Sequence, residues 1–166
     1  LAQFNNPGGV AVGPDGSVYI SDFLNWRLRR VSPGGTITTV AGNGDSSGFS
    51  GDGLPAVQAS IGPVQSAAVG PDGSLYVPDL LSRRIMRVGT DGIIATLAGT
   101  GDNDFNGEGL PPNRVNIDRV GGVGRQVQTV GGRTPGRLVG AIKPLLQLDG
   151  LHVIGPANRK VSRVGI

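Results

Sequence analysis

The sequence predicts an all-β chain built from repeated four-stranded antiparallel units, on three observations. Long segments repeat in one register, Gly and Pro recur at fixed places in that register, and helix-favouring residues are scarce. Val12-Gly13-Pro14-Asp15-Gly16-Ser17 returns 57 positions later as Val69-Gly70-Pro71-Asp72-Gly73-Ser74. The same offset carries Arg27-Leu28-Arg29-Arg30-Val31 onto Arg84-Ile85-Met86-Arg87-Val88, and Ala41-Gly42-Asn43-Gly44-Asp45 onto Ala98-Gly99-Thr100-Gly101-Asp102. Phe49 then matches Phe105, and Gly53-Leu54-Pro55 matches Gly109-Leu110-Pro111, at an offset of 56. A fixed period of this length marks an array of structural modules. The 30 Gly and 12 Pro follow that period, so they read as turns and not as low complexity. Glu occurs only at Glu108 and Met only at Met86, while Val, Ile and Thr are common. That balance disfavours long helices and favours strands.

Each unit divides into four short strands. Residues 9–13 form the first. Gly13-Pro14-Asp15-Gly16 is a tight turn, because Pro presets φ and Gly tolerates a positive φ. Residues 17–21 form the second strand, 22–26 a loop, and 27–32 the third strand. Pro33-Gly34-Gly35 turns the chain into a fourth strand, 36–41. Four antiparallel strands repeated around an axis make a β-propeller blade. One blade cannot bury its faces alone, so neighbours must stack to complete a core. The connection 42–60 is expected to pass to the next blade. The units run 1–61, 62–117 and 118–166, about two and a half to three blades in one segment.

The third unit is degenerate. Gly121-Gly122-Val123 matches Gly8-Gly9-Val10, but Asp149-Gly150 matches Asp15-Gly16 only after a shift, and Asn158 and Val164 match Asn25 and Val31. An insertion within 124–146 is expected. Ile166 aligns with Pro33, so the third unit stops before its fourth strand. The chain also lacks an initiator Met and a visible signal peptide. It is therefore expected to be a segment of a larger propeller, or to complete a ring by assembly.

Pro7-Gly8-Gly9-Val10-Ala11-Val12, Pro14-Asp15-Gly16-Ser17-Val18-Tyr19-Ile20-Ser21-Asp22 and Asn25-Trp26-Arg27-Leu28-Arg29-Arg30-Val31 together resemble an NHL repeat. The second copy, 64–88, is similar, with Pro78 where small residues are usual. The stretch from Ala41-Gly42-Asn43-Gly44 to Phe49-Ser50-Gly51-Asp52-Gly53-Leu54-Pro55-Ala56 resembles the long linker of bacterial and teneurin-like NHL proteins. The resemblance covers 1–117 well and 118–166 weakly. It implies a six-bladed propeller, here partial or completed by an oligomer, and tilts localisation towards the cell surface or exterior.

Several function classes lose support. The chain has no Cys, which excludes disulfides and thiolate metal sites. No apolar run is long enough to span a membrane. Its one histidine, His152, aligns with Tyr19 and Tyr76 on strand two and reads as a packed side chain. Neither a zinc site nor a Ser–His–Asp triad can be assembled from it, and the amidating-lyase branch of the family relies on metal-bound histidines. Gly121-Gly122-Val123-Gly124 lacks the Lys-Ser/Thr of a phosphate loop. Residues 119–166 hold eight basic groups against one acid, Asp149. That tail contains no aromatic, so it lacks the stacking groups that single-stranded nucleic acid requires.

In propellers, loops between strands two and three share a rim with the inter-blade connections. The candidate rim residues are Asp22, Phe23, Asn25, Trp26 and Arg27 in the first unit, and Asp79, Leu81 and Arg83 in the second. Aromatic and arginine side chains on a loop suit partner binding; Phe23 and Trp26 equally suit the core between blades. Asp22 and Asp79 could form a carboxylate ring for a cation or a basic partner, or close Asx turns. Gly155 stands at that position in the third unit. Arg30, Arg87 and Arg163 form either an anion stripe or structural pairs with carboxylates. Asp102-Asn103-Asp104-Phe105-Asn106-Gly107 resembles half a calcium loop, with Asp102, Asp104 and Asn106 as ligands, but Asn113 stands where a bidentate Glu belongs. The expected function is a non-catalytic propeller scaffold binding protein or glycan on its rim, with a protein partner or self-association expected. The alternatives are part of a lyase or hydrolase completed by further blades, or an RNA-binding module.

Overall fold

The computed structural model describes residues 2–104, 106, 109–117, 123–125 and 151–153. The chain folds as stacked β-propeller blades. In blade one, β1 (Pro7–Val12), β2 (Val18–Asp22), β3 (Arg27–Val31) and β4 (Ile37–Ala41) lie in the order β1-β2-β3-β4, all antiparallel. Blade two repeats this order with β5 (Ala68–Val69), β6 (Leu75–Asp79), β7 (Arg84–Val88) and β8 (Ile94–Ala98). Most strand ends fall within a residue of the expected ones. The first strand begins earlier, at Pro7, with an irregularity between Pro7 and Val10.

The Gly-Pro-Asp-Gly turn explains why the repeat keeps its sequence. The Gly13 carbonyl accepts from the Gly16 N–H at 3.0 Å, and Gly16 sits at φ 77°. Asp15 accepts from the Ser17 N–H at 3.0 Å and from the Ser17 hydroxyl at 2.7 Å. It also accepts from Arg30 on β3 at 2.8 Å, so the turn is tied across β2. Arg30, followed by Ser17, holds the Asp15 carboxyl down at about 2. Asp72 repeats the arrangement with Ser74 and Arg87, and Ser74 is the main cause of its lowered pKa. Arg30 and Arg87 are thus carboxylate-paired; Arg163 lies outside the described residues.

Side chains alternate across each sheet. One face of blade one (Tyr19, Leu28 and Ala41, with Ala11 and Val40) packs against Ala67, Val69, Leu75, Val77, Met86, Val88 and Ile94 of blade two. Ala56, Ala59, Ile61 and Val64 of the connecting segment complete this core. The far face of blade two buries Ala68, Tyr76, Ile85 and Ala98 beside Leu97 and Ile117.

The connection 42–60 does more than pass between blades. Gly53 donates to the Ile94 carbonyl at 2.8 Å, Ile94 to Leu54 at 3.0 Å and Ala56 to Gly92 at 2.8 Å. Asp52 accepts from the Thr96 N–H at 2.6 Å and from its hydroxyl at 2.9 Å. The segment is a strap along the outer edge of the next blade, and covering an edge is how sheets avoid stray pairing. The strap is anchored by Gly42 donating to Ala56 at 2.9 Å and Asn43 to Ala59 at 2.9 Å. The second connection repeats this anchor, its donors 57 and its acceptors 56 residues on, with Gly99 donating to Pro112 at 3.0 Å and Thr100 to Val115 at 3.1 Å. Gly42 and Gly99 sit at φ 88° and 95°, and a Cβ there would collide with the carbonyl oxygen of Trp26 or Arg83.

Beyond residue 117 the described backbone consists of β9 (Val123–Arg125) and β10 (Leu151–Val153), paired antiparallel. His152 stands opposite Gly124 as Tyr19 stands opposite Ala11. The pair therefore has the register of a blade's first two strands, with residues 126–150 between them. The insertion expected at 124–146 falls mostly outside the described residues, as do Asp149, Gly155 and Arg163. Among the described residues no helix is long and apolar enough to cross a membrane.

Candidate functional site

The strand-two to strand-three loop has the same construction in both blades. After Asp22, Phe23–Asn25 make one 3-10 turn, Trp26 takes a left-handed conformation at φ 49°, and β3 begins at Arg27. In blade two Arg83 takes that place, at φ 53°. A side chain at such a φ is uncommon, and for a bulky residue it costs roughly a kcal/mol or more.

Asp22 and Asp79 are fully buried, and their carboxylates turn inward. Asp79 accepts from the N–H groups of Leu81 at 2.9 Å and Ser82 at 3.0 Å, an Asx turn, and its other oxygen accepts from Gly62 at 2.9 Å. Asp22 accepts from the Asn5 N–H at 2.8 Å and from the Asn25 side-chain amide at 2.9 Å, through one oxygen. Its second oxygen is buried without a partner. Each Asp thus fastens the incoming chain, at Asn5 or Gly62, to the loop of the same blade. A buried carboxylate needs such donors to offset its lost hydration.

Arg27 ties the loop to the strap. It donates to the Asn25 carbonyl at 3.1 Å and to the Asn43 carbonyl at 2.7 Å. Its equivalent Arg84 donates to the Thr100 carbonyl at 2.5 Å and lies 5.8 Å from the ring centre of Phe49, within cation–π range. Arg83 reaches the Gly101 carbonyl at 3.4 Å.

What remains on the surface is apolar and aromatic. Leu24 and Leu81, at equivalent loop positions, are 43% and 55% exposed. Phe23 and Trp26 are half-buried beside Leu24. Asn6, Gly8, Phe23 and Gln65 line an open depression of about 320 Å³ where the blades meet. The expected rim residues therefore divide: Asp22, Asn25, Asp79 and Arg27 fasten the loops, while Phe23, Trp26, Leu81 and Arg83 sit where a partner could reach them. Asn5, Gly62 and Gln65 take part without any signal in the sequence, because the first two act through the backbone N–H alone.

The calcium-like stretch makes hydrogen bonds within its own connection. Asn106 donates to the Arg114 carbonyl at 2.6 Å and accepts from the Asn116 N–H at 3.0 Å. The Asp104 carbonyl accepts from the Asn116 amide at 2.5 Å, and the Asp102 N–H donates to the Thr100 hydroxyl at 3.1 Å. Phe105, Gly107 and Glu108 lie outside the described residues. Among the described residues no three His, Cys, Asp or Glu side chains come together.

Residues 4–30 match the NHL repeat. No curated protein matches the chain in sequence. Among solved structures, it is similar to a protein of unknown function from Bacteroides thetaiotaomicron, at 17% identity and TM-score 0.48, covering 63% of this chain and 26% of that one. It is similar to a gluconolactonase from Xanthomonas campestris at 19% identity and TM-score 0.44, covering 64% and 29%. A streptogramin B lyase follows at 16% identity and TM-score 0.38, covering 54% and 25%. The chain spans less than a third of each of these proteins. Likeness at this level says nothing about activity.

Proposed function

We propose that this chain, which carries an NHL repeat in a segment of β-propeller blades, is a non-catalytic scaffold binding a protein, or a glycan, on the rim formed by its strand-two to strand-three loops. The observation that carries this reading is the pair of left-handed positions, Trp26 and Arg83. Gly or Asn fits that backbone with least strain. A loop selected for stability alone would use one of them. The chain instead places a Trp and an Arg there, each beside an exposed leucine, and these are side chains that dominate binding surfaces. The fastened backbone beneath, held by Asp22, Asp79 and Arg27, presents them with little ordering cost on binding.

A peptide display library and a glycan array, screened with the intact chain, test this reading. Binders are then measured against Trp26→Ala, at a half-buried loop position, and Leu81→Asp, at an exposed one. A loss of about tenfold or more in affinity, roughly 1.4 kcal/mol, supports the rim. Binders indifferent to both variants remove it. Retention of single-stranded RNA that falls steeply with salt would move the function to nucleic acid instead.

A further inference from the structure

We propose that Asn43 is a self-modification site: its side-chain amide is poised to close on the Gly44 nitrogen, lose ammonia and reopen with water as aspartate or isoaspartate, loosening the first strap and not the second. This inference rests on the strap and not on the rim.

Asn-Gly occurs at two places in the sequence, 43–44 and 106–107, and Gly107 lies outside the described residues. Glycine leaves its nitrogen unshielded, so ring closure from the preceding Asn meets least steric resistance there. The surroundings of Asn43 supply what the reaction needs. Asn43 is exposed, so water reaches it. Its Oδ1 accepts from the Asp45 N–H at 2.8 Å. That bond folds the side chain back over the Asn43–Gly44 peptide and brings Cγ towards the Gly44 nitrogen. It also places a donor on the oxygen where negative charge collects as Cγ is attacked. Gly44 sits at φ 90°, and its N–H makes no hydrogen bond among the described residues. Arg27 donates to the carbonyl of this same peptide at 2.7 Å, and a Cβ at Gly44 would strike its guanidinium. A cation on the peptide oxygen stabilises the charge left when the nitrogen gives up its proton.

The bond from the Gly44 nitrogen to Cγ forms, the bond from Cγ to Nδ2 breaks, and ammonia leaves with the proton from Gly44. Water then opens the cyclic imide at either carbonyl. One side gives aspartate; the other gives isoaspartate, whose main chain is longer by a methylene.

The second connection is a built-in contrast. Arg84 holds the Thr100 carbonyl as Arg27 holds that of Asn43, and Gly101 sits at φ 100°. The Thr100 hydroxyl accepts from the Asp102 N–H at 3.1 Å, as Asn43 accepts from Asp45. Peptide, cation and turn are all reproduced, but a hydroxyl offers the nitrogen no carbon to attack. The turn therefore forms without an amide, and of the two connections only the first places an electrophile in it. That electrophile is also a strap anchor: the Asn43 N–H donates to Ala59 at 2.9 Å and Nδ2 to the Gln58 carbonyl at 3.2 Å. Conversion removes the amide donor and sets a carboxylate beside Asp45. In the isoaspartate product it also displaces the carbonyl that Arg27 grips.

The intact chain, folded and in urea, is incubated at mildly alkaline pH and followed by peptide mapping with mass spectrometry. Asn43 is expected to gain about 1 Da as two separable products, no more slowly in the folded chain than in urea. Arg27→Gln should slow the folded rate at least about threefold and leave the rate in urea unchanged. Thr100→Asn should make position 100 reactive as well. In converted chains, hydrogen exchange at Gly42 and at position 43 should quicken at least about tenfold, while Gly99 and Thr100 stay as they were. Conversion of Asn43 in urea but not in the folded chain overturns the proposal. So does a folded rate indifferent to Arg27, or a position 100 that stays inert in Thr100→Asn.

Discussion

Blade one and blade two share a sequence pattern, a strand order and a turn, yet they differ in what they bury. All five residues of β6 are buried, while β1 shows none and β3 only Leu28. The difference lies in the neighbours. Burial in this architecture belongs to the stack, so the same residue type at the same position has a different energetic weight in each blade.

The sharpest way to break this comparison is a charge at one position in both blades. Val77→Asp should unfold the chain or cost at least about 4 kcal/mol, because an unpaired carboxylate enters a filled core. Ile20→Asp, its counterpart, should cost about 1 kcal/mol or less; urea denaturation followed by circular dichroism gives both values. Met86→Ala should cost about 2–5 kcal/mol and Arg29→Ala less than about 1 kcal/mol by the same measurement.

Loop geometry, by contrast, should behave alike in both blades. Gly42→Ala and Gly99→Ala should each cost about 2 kcal/mol or more, since each forces a Cβ into a carbonyl oxygen at positive φ. Unequal losses would mean that even the loops depend on stacking. The Asp locks give a graded case: Asp79→Ala strands three backbone N–H groups and should cost about 2–3 kcal/mol, and Asp22→Ala, with one such group, about 1 kcal/mol.

The smallest effect is acidic. A carboxyl whose folded pKa is depressed contributes stability above its unfolded pKa and loses it as pH falls through the folded one. For Asp15 that window runs from the ordinary value of 3.8 down to about 2. Stability should therefore drop on acidification through this window, and Asp15→Asn should flatten the slope there. Arg30 stays charged throughout, so salt should weaken the effect.

Much of the fold was legible in the sequence. Gly-Pro-Asp-Gly fixed the turn between strands one and two, and the 57-residue register carried every strand of blade one onto blade two. In the sequence the strap reads as a mere connection, because its pairing runs through backbone groups of Gly53, Leu54 and Ala56 that leave no strand-like alternation. The fate of the outer face was equally hidden: Val10 and Val12 are as apolar as Ala67 and Val69, and only Arg29 in place of Met86 hints at a different surrounding. At the rim, residue types pointed to the right loops. They could not say that Asp22 and Asp79 face inward, since their donors at Asn5 and Gly62 lie 17 residues upstream and are bare amides.

The strap also defines what can be added to or removed from the array. It belongs in sequence to one blade and in hydrogen bonding to the next, with Asp52 gripping a residue 44 positions ahead. Deleting a bare four-stranded sheet would orphan a strap and strip a neighbour at the same stroke. Gene duplications that keep the ladder whole must therefore be cut in units of sheet plus strap, and engineers lengthening such a chain should splice at the same joint.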